Sequence, residues 1–165
     1  MTFTYADIAG MIDHSLLQPT LTDDELEAGC QVAREYQVAS VCIKPYYLAR
    51  CAELLESSGV LPSTTIGFPH GGHTTGVKVA EAERAIADGG VELDMVVNIG
   101  KVLSGDWAFV RDDIGAVSEM THSHGKILKV IFENCYLDDD RRLEVDAIAF
   151  TAGGSSESSR WCADA

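Results

Sequence analysis

Short β-rich runs alternate with helical stretches along most of this chain, and that alternation restricts the fold more than any other feature. VASVCI (38–43), STTIGF (63–68), VELDMVV (91–97) and KILKVIF (126–132) are nearly continuous apolar runs. Such runs suit strands covered on both faces of a parallel sheet. MIDHSLL (11–17) is a weaker fifth candidate. Between them, Thr22-Asp23-Asp24-Glu25 forms a capping box, followed by Leu26, Cys30 and Ala33 at helical spacing. Pro45 opens a second helix carrying Leu48, Ala52 and Leu55, with Gly59 as its left-handed C-cap. Residues 77–87 make a third helix, stopped by Gly89-Gly90, and 107 to about 120 a fourth. The order predicts right-handed crossovers and a parallel sheet. Two architectures fit: an open doubly wound sheet, or part of a (β/α)8 barrel. No GxGxxG follows the first strand and no GxxxxGK[ST] occurs, which weakens the nucleotide-binding open sheets.

Charge and cysteine usage narrow the function classes. Lys and Arg number 12 against 26 Asp and Glu, a formal charge of −14 in 165 residues. A surface this acidic repels phosphate backbones, so no nucleic acid partner is expected. No apolar run reaches the roughly 18 residues of a membrane helix, and MTFTYADIAGMIDHS lacks the basic start and apolar stretch of a signal peptide. The expectation is a cytoplasmic protein without a membrane partner. Cys30, Cys42, Cys51, Cys135 and Cys162 are dispersed and form no CxxC pair. The first four read as small buried apolar residues, and the set as a whole as neither a disulfide framework nor a zinc site.

Functional groups in parallel α/β folds gather at the C-terminal strand ends. Asp94 lies inside VELDMVV, where a carboxylate is costly unless paired. It reads either as a general acid/base or as a structural partner of a lysine. Lys129 lies inside KILKVIF and by parity points away from Leu128 and Val130, toward the face where Asp94 would sit in a barrel. It reads either as an amine of lowered pKa suited to carbonyl chemistry or as a plain ion pair with Asp94. Asp13 and His14, placed at the end of the first strand, and Lys44, Glu133 and Asn134 are weaker pocket candidates. His70 and His73 in PHGGH lack a third ligand, so no metal is expected. His122 and His124 read as exposed helix-end residues.

Six ordered segments, IDHSLLQPT, SVCIKP, GFPHG, KVAEAERAIADGG, ELDMVVNIG and LKVIFEN, together resemble the deoxyribose-phosphate aldolases from about residue 8 to about 143. The resemblance implies a (β/α)8 barrel. It also implies reversible cleavage of 2-deoxy-D-ribose 5-phosphate to acetaldehyde and D-glyceraldehyde 3-phosphate through a lysine Schiff base, with no metal or other cofactor. On it, Asp94 matches the aspartate that donates and accepts protons through water. Lys129 matches a supporting pocket lysine, Asp13 an aspartate of the water network, and Cys42 a pocket-lining cysteine. The resemblance implies a small phosphorylated sugar as partner; a homo-oligomer is a separate expectation, from the open strand edges of a partial barrel.

The pattern breaks near the C-terminus. The family's Schiff-base lysine sits in a motif like KTSTG and a second lysine in one like KPAGG; neither occurs, and Lys129 is the last lysine. A (β/α)8 barrel takes about 250 residues. The expectation is therefore a barrel truncated after about five β/α units. Residues 1–150 would form its N-terminal part. Residues 151–165 would form an unrelated, disordered Gly/Ser-rich tail behind a frameshift or premature stop, although LEVDAIAFTA within 143–152 keeps helical character. The alternative to an aldolase is an inactive barrel fragment, stable only through self-association or a partner chain.

Overall fold

The computed structural model describes residues 2–153. Five parallel strands, β1 (Asp13–Leu16), β2 (Ser40–Ile43), β3 (Leu61–Ile66), β4 (Glu92–Val96) and β5 (Ile127–Ile131), lie side by side in chain order. Seven helices accompany them: α1 (Tyr5–Ala9), α2 (Asp23–Tyr36), α3 (Leu48–Leu55), α4 (Thr75–Ala87), α5 (Ile99–Leu103), α6 (Trp107–Ser123) and α7 (Asp139–Gly153). All five expected strands are present, each within two residues of its expected limits. α1 and α5 were not expected; each has only five residues, too few to show a helical period.

Local signals account for most boundaries. Thr22 and Glu25 exchange both capping-box bonds at the start of α2. Pro45 does not open α3 directly: it starts a 3-10 turn, Pro45–Tyr47, and α3 follows. Gly59 is not the C-cap of α3. The helix ends at Leu55, Ser57 takes the left-handed conformation, and Gly59 lies two residues further on. β3 stops at Ile66 because Gly67 turns to positive φ. Gly71 sits where no other residue fits. Its φ is +62°, and an added Cβ would lie 1.9 Å from the Val97 carbonyl oxygen.

Strand register sorts the side chains into two faces. Leu16, Val41, Ile43, Ile66, Leu93, Met95, Leu128 and Val130 belong to the apolar core that packs against the helices. Leu16 meets α2 so closely that a Cβ on Gly29 would strike it. The opposite face carries Asp13, Ser40, Cys42, Ser63, Thr65, Glu92, Asp94 and Lys129, related through successive ladder pairs.

That polar face is concave. In a flat sheet β1 and β5 would stand about 19 Å apart, at about 4.8 Å per strand. Yet Lys129 of β5 places its amine 2.7 Å from Asp13 of β1. The ladder from Asp13 runs through Ser40 to Leu61. Continued in register across β4, it meets β5 four residues before Lys129. A (β/α)8 barrel shifts by about one residue per strand, so four strand steps account for this stagger.

Candidate active site

Lys129 is the centre of the concave face. Its Nζ lies 2.7 Å from Asp13 Oδ2, 2.9 Å from Glu92 Oε2 and 3.1 Å from Asp94 Oδ1. The lysine side chain is 3% exposed and that of Asp94 0%. Strand alternation creates the cluster: Glu92 and Asp94 are two apart in β4, and Asp94 pairs directly with Lys129. Ser40 Oγ donates to Asp13 Oδ1 at 2.7 Å, and Ser63 Oγ donates to Asp94 Oδ2 at 3.3 Å. Asp94 Oδ1 meets Lys129 as a charge contact only. Among the described residues, no donor reaches that oxygen in hydrogen-bonding geometry.

The electrostatics follow from burial and neighbours. Burial pushes the Asp94 carboxyl above its ordinary value, against the pull of the Lys129 charge and a hydrogen bond from Cys42. Burial also disfavours the Lys129 cation. The carboxylates of Asp94, Asp13 and Glu92 outweigh it and hold the amine above its ordinary value. The reading of Lys129 as an amine of lowered pKa is thus corrected. Its surroundings are anionic, and it stays a cation. The site therefore holds one carboxyl that keeps its proton more readily than an ordinary aspartate, beside a fixed positive charge.

The remaining candidates scatter. Asp13 opens β1 instead of ending it. His14 points to the other face from Asp13, half-buried, and burial lowers its pKa. Cys42 is buried on the concave face, but Cys135 is exposed, against expectation, in the turn Asn134–Tyr136. Lys44 turns away to the carbonyls of Gln18 and Leu21. Glu133 has positive φ at the end of β5. Cys162 and the Gly/Ser-rich segment expected to be a tail lie outside the described residues, apart from α7, which runs to Gly153.

Three participants escaped the sequence reading. Glu92 carried a usable signal, since it shares a face with Asp94. Ser40 and Ser63 carried none, because only the register of neighbouring strands delivers them. Outside the barrel, Lys78 of α4 and Asp113 of α6 form a wholly buried ion pair of 2.6 Å. Lys78 also donates to the Val96 carbonyl, and Thr75 donates to Asp113.

Residues 8–153 match the DeoC/LacD family aldolases, a span that includes every strand just described. The chain belongs to that family. A deoxyribose-phosphate aldolase of Rhodopirellula baltica is 59% identical over 143 residues, covering 87% of this chain and 59% of that protein. One from Caldanaerobacter subterraneus is 43% identical over 148 residues, covering 89% and 64%. Among solved structures, the tetrameric deoxyribose phosphate aldolase of Aeropyrum pernix superposes with a TM-score of 0.82 at 29% identity, over 91% of this chain and 62% of that one. The aldolase QR15 gives 0.82 at 32% identity, over 89% and 65%. The chain thus spans about three fifths of the length of the curated relatives it matches. Among the described residues, no helix is long and apolar enough to cross a membrane.

Proposed function

We propose that this chain supplies the proton-transfer half of a deoxyribose-phosphate aldolase centre. The reaction is reversible cleavage of 2-deoxy-D-ribose 5-phosphate to D-glyceraldehyde 3-phosphate and acetaldehyde. The carrying observation is the buried Asp94 carboxyl, raised in pKa and set beside the permanent Lys129 cation. Asp94 would relay a proton through water as the C–C bond breaks. Lys129 would stabilise charge, and Asp13 with Ser40 would hold Lys129 in place. Cys42 would line the pocket and hydrogen-bond Asp94.

The imine-forming lysine must come from elsewhere. Lys129 is held as a cation and Lys78 is locked to Asp113. Lys101 pairs with Asp106, and Lys44 is spent on loop carbonyls. Lys126 precedes β5 on the parity opposite to Lys129. None of these is a free amine facing Asp94. Sugar binding and homo-oligomer formation would likewise depend on the remainder of the barrel. The exposed Phe3, Tyr5, Ile8 and Met11 beside β1 would pack against it.

A retro-aldol assay, coupled to detection of glyceraldehyde 3-phosphate, tests this reading. The purified chain alone should be inactive. Borohydride reduction with acetaldehyde should leave at most a weak adduct at Lys129. Addition of a polypeptide spanning the part of the Rhodopirellula relative that this chain does not cover should restore turnover, and Asp94→Asn should abolish the restored activity. Strong single-site trapping on the chain alone would overturn the proposal.

A further inference from the structure

Cys30 of α2 and Cys51 of α3 face each other across the helix pair, with Sγ atoms 3.7 Å apart. Both side chains are buried among Leu26, Ala33, Leu48 and Leu55, with no metal cluster nearby among the described residues. A disulfide needs an S–S distance of about 2.05 Å, so the sulfurs must close by about 1.7 Å, within reach of side-chain rotation and a small helix shift. The fold keeps the other described thiols apart from this pair. Cys42 lies on the concave side of β2, and Cys135 is at the surface after β5.

We propose that Cys30 and Cys51 are a redox-modification site, closing to a reversible disulfide that joins α2 to α3 when the protein meets a low-molecular-weight disulfide. Deprotonated Cys30 attacks one sulfur of the small disulfide and expels the other as a thiolate. Cys51 loses its proton to water, attacks the Cys30 sulfur of the mixed disulfide and expels the second small thiolate. The two protein thiols are oxidised by two electrons, and the small disulfide is reduced to two thiols. Because neither cysteine reaches solvent, the oxidant enters only when α2 and α3 part. The reaction is therefore slower than at an exposed thiol.

Incubation of the folded chain with oxidised glutathione, then acid quench and mass spectrometry, tests the site. The expected result is a loss of about 2 Da, the two hydrogens removed on oxidation. A tryptic peptide pair joined through Cys30 and Cys51 should accompany it, reversed by dithiothreitol. In a sample with Cys135 and Cys162 shielded beforehand, one of the three remaining thiols, Cys42, should stay alkylatable. Cys30→Ala and Cys51→Ala should each abolish the mass loss. In urea the pairing preference should vanish. A stable glutathione adduct on Cys30, a pair involving Cys42, or the same preference in urea would overturn the proposal.

Discussion

Lys129 is the residue on which the concave face depends. It is the one cation among three carboxylates, so its removal leaves buried charge uncompensated. Breaking such a cluster costs about 3–5 kcal/mol. Lys129→Met should lower stability by that order at pH 7 in urea unfolding. The deficit should shrink as pH falls, because Asp94, whose burial already favours its neutral form, takes up a proton. Asp94 titrates with the opposite sign to an ordinary paired carboxylate. Its pKa is raised on folding, so the native state holds the proton more tightly than the unfolded chain does. The cost is absent below its unfolded value and grows as pH rises above it. Asp94→Asn should therefore flatten the fall in stability as pH rises above the ordinary aspartate range. Gly71→Ala tests sterics rather than charge. With its Cβ driven onto the Val97 carbonyl at positive φ, it should lose upward of about 2 kcal/mol in thermal or urea unfolding. Of these features, Asp94 and Lys129 were legible from charge placed inside apolar runs. Gly71 and Ser63 were not, because nothing local marks a backbone that passes close in space.

At the scale of elements, capping and propensity make separable predictions. Thr22→Ala removes the side chain that accepts from the Glu25 amide, and should cost about 1 kcal/mol in stability. Gly115 sits inside α6 with open space around its would-be Cβ, so Gly115→Ala should add about 0.5–1 kcal/mol. Both are read from urea midpoints at constant m-value. The strands were legible because apolar runs and their parity are local. The short α1 and α5 were not, since five residues carry too little periodicity. The Lys78–Asp113 pair was invisible for another reason. Its two residues lie 35 positions apart on different helices, and only the packing of those helices makes a charged pair tolerable there.

For the whole molecule, the curled sheet leaves β1 and β5 with one neighbouring strand each among the described residues. Unpaired strand edges and the exposed Phe3, Tyr5, Ile8 and Met11 favour association. The charge of −14 opposes it. Sedimentation velocity should therefore show assemblies that grow with protein concentration and with added salt, which screens the repulsion. A monomer unchanged by salt would count against open edges as the governing feature.

The sequence alone determined the strand–helix order, the parallel sheet, and the two charged residues that cannot be buried without partners. These follow from periodicity and from desolvation, which act over a few residues. The tertiary structure decided which charges meet. Curvature of five strands brings Asp13 to a lysine 116 positions away. It adds Glu92 to the same amine, and so turns Lys129 from a candidate nucleophile into a fixed cation. A pKa is set by what surrounds a group in space, and that neighbourhood exists only once the sheet has curled.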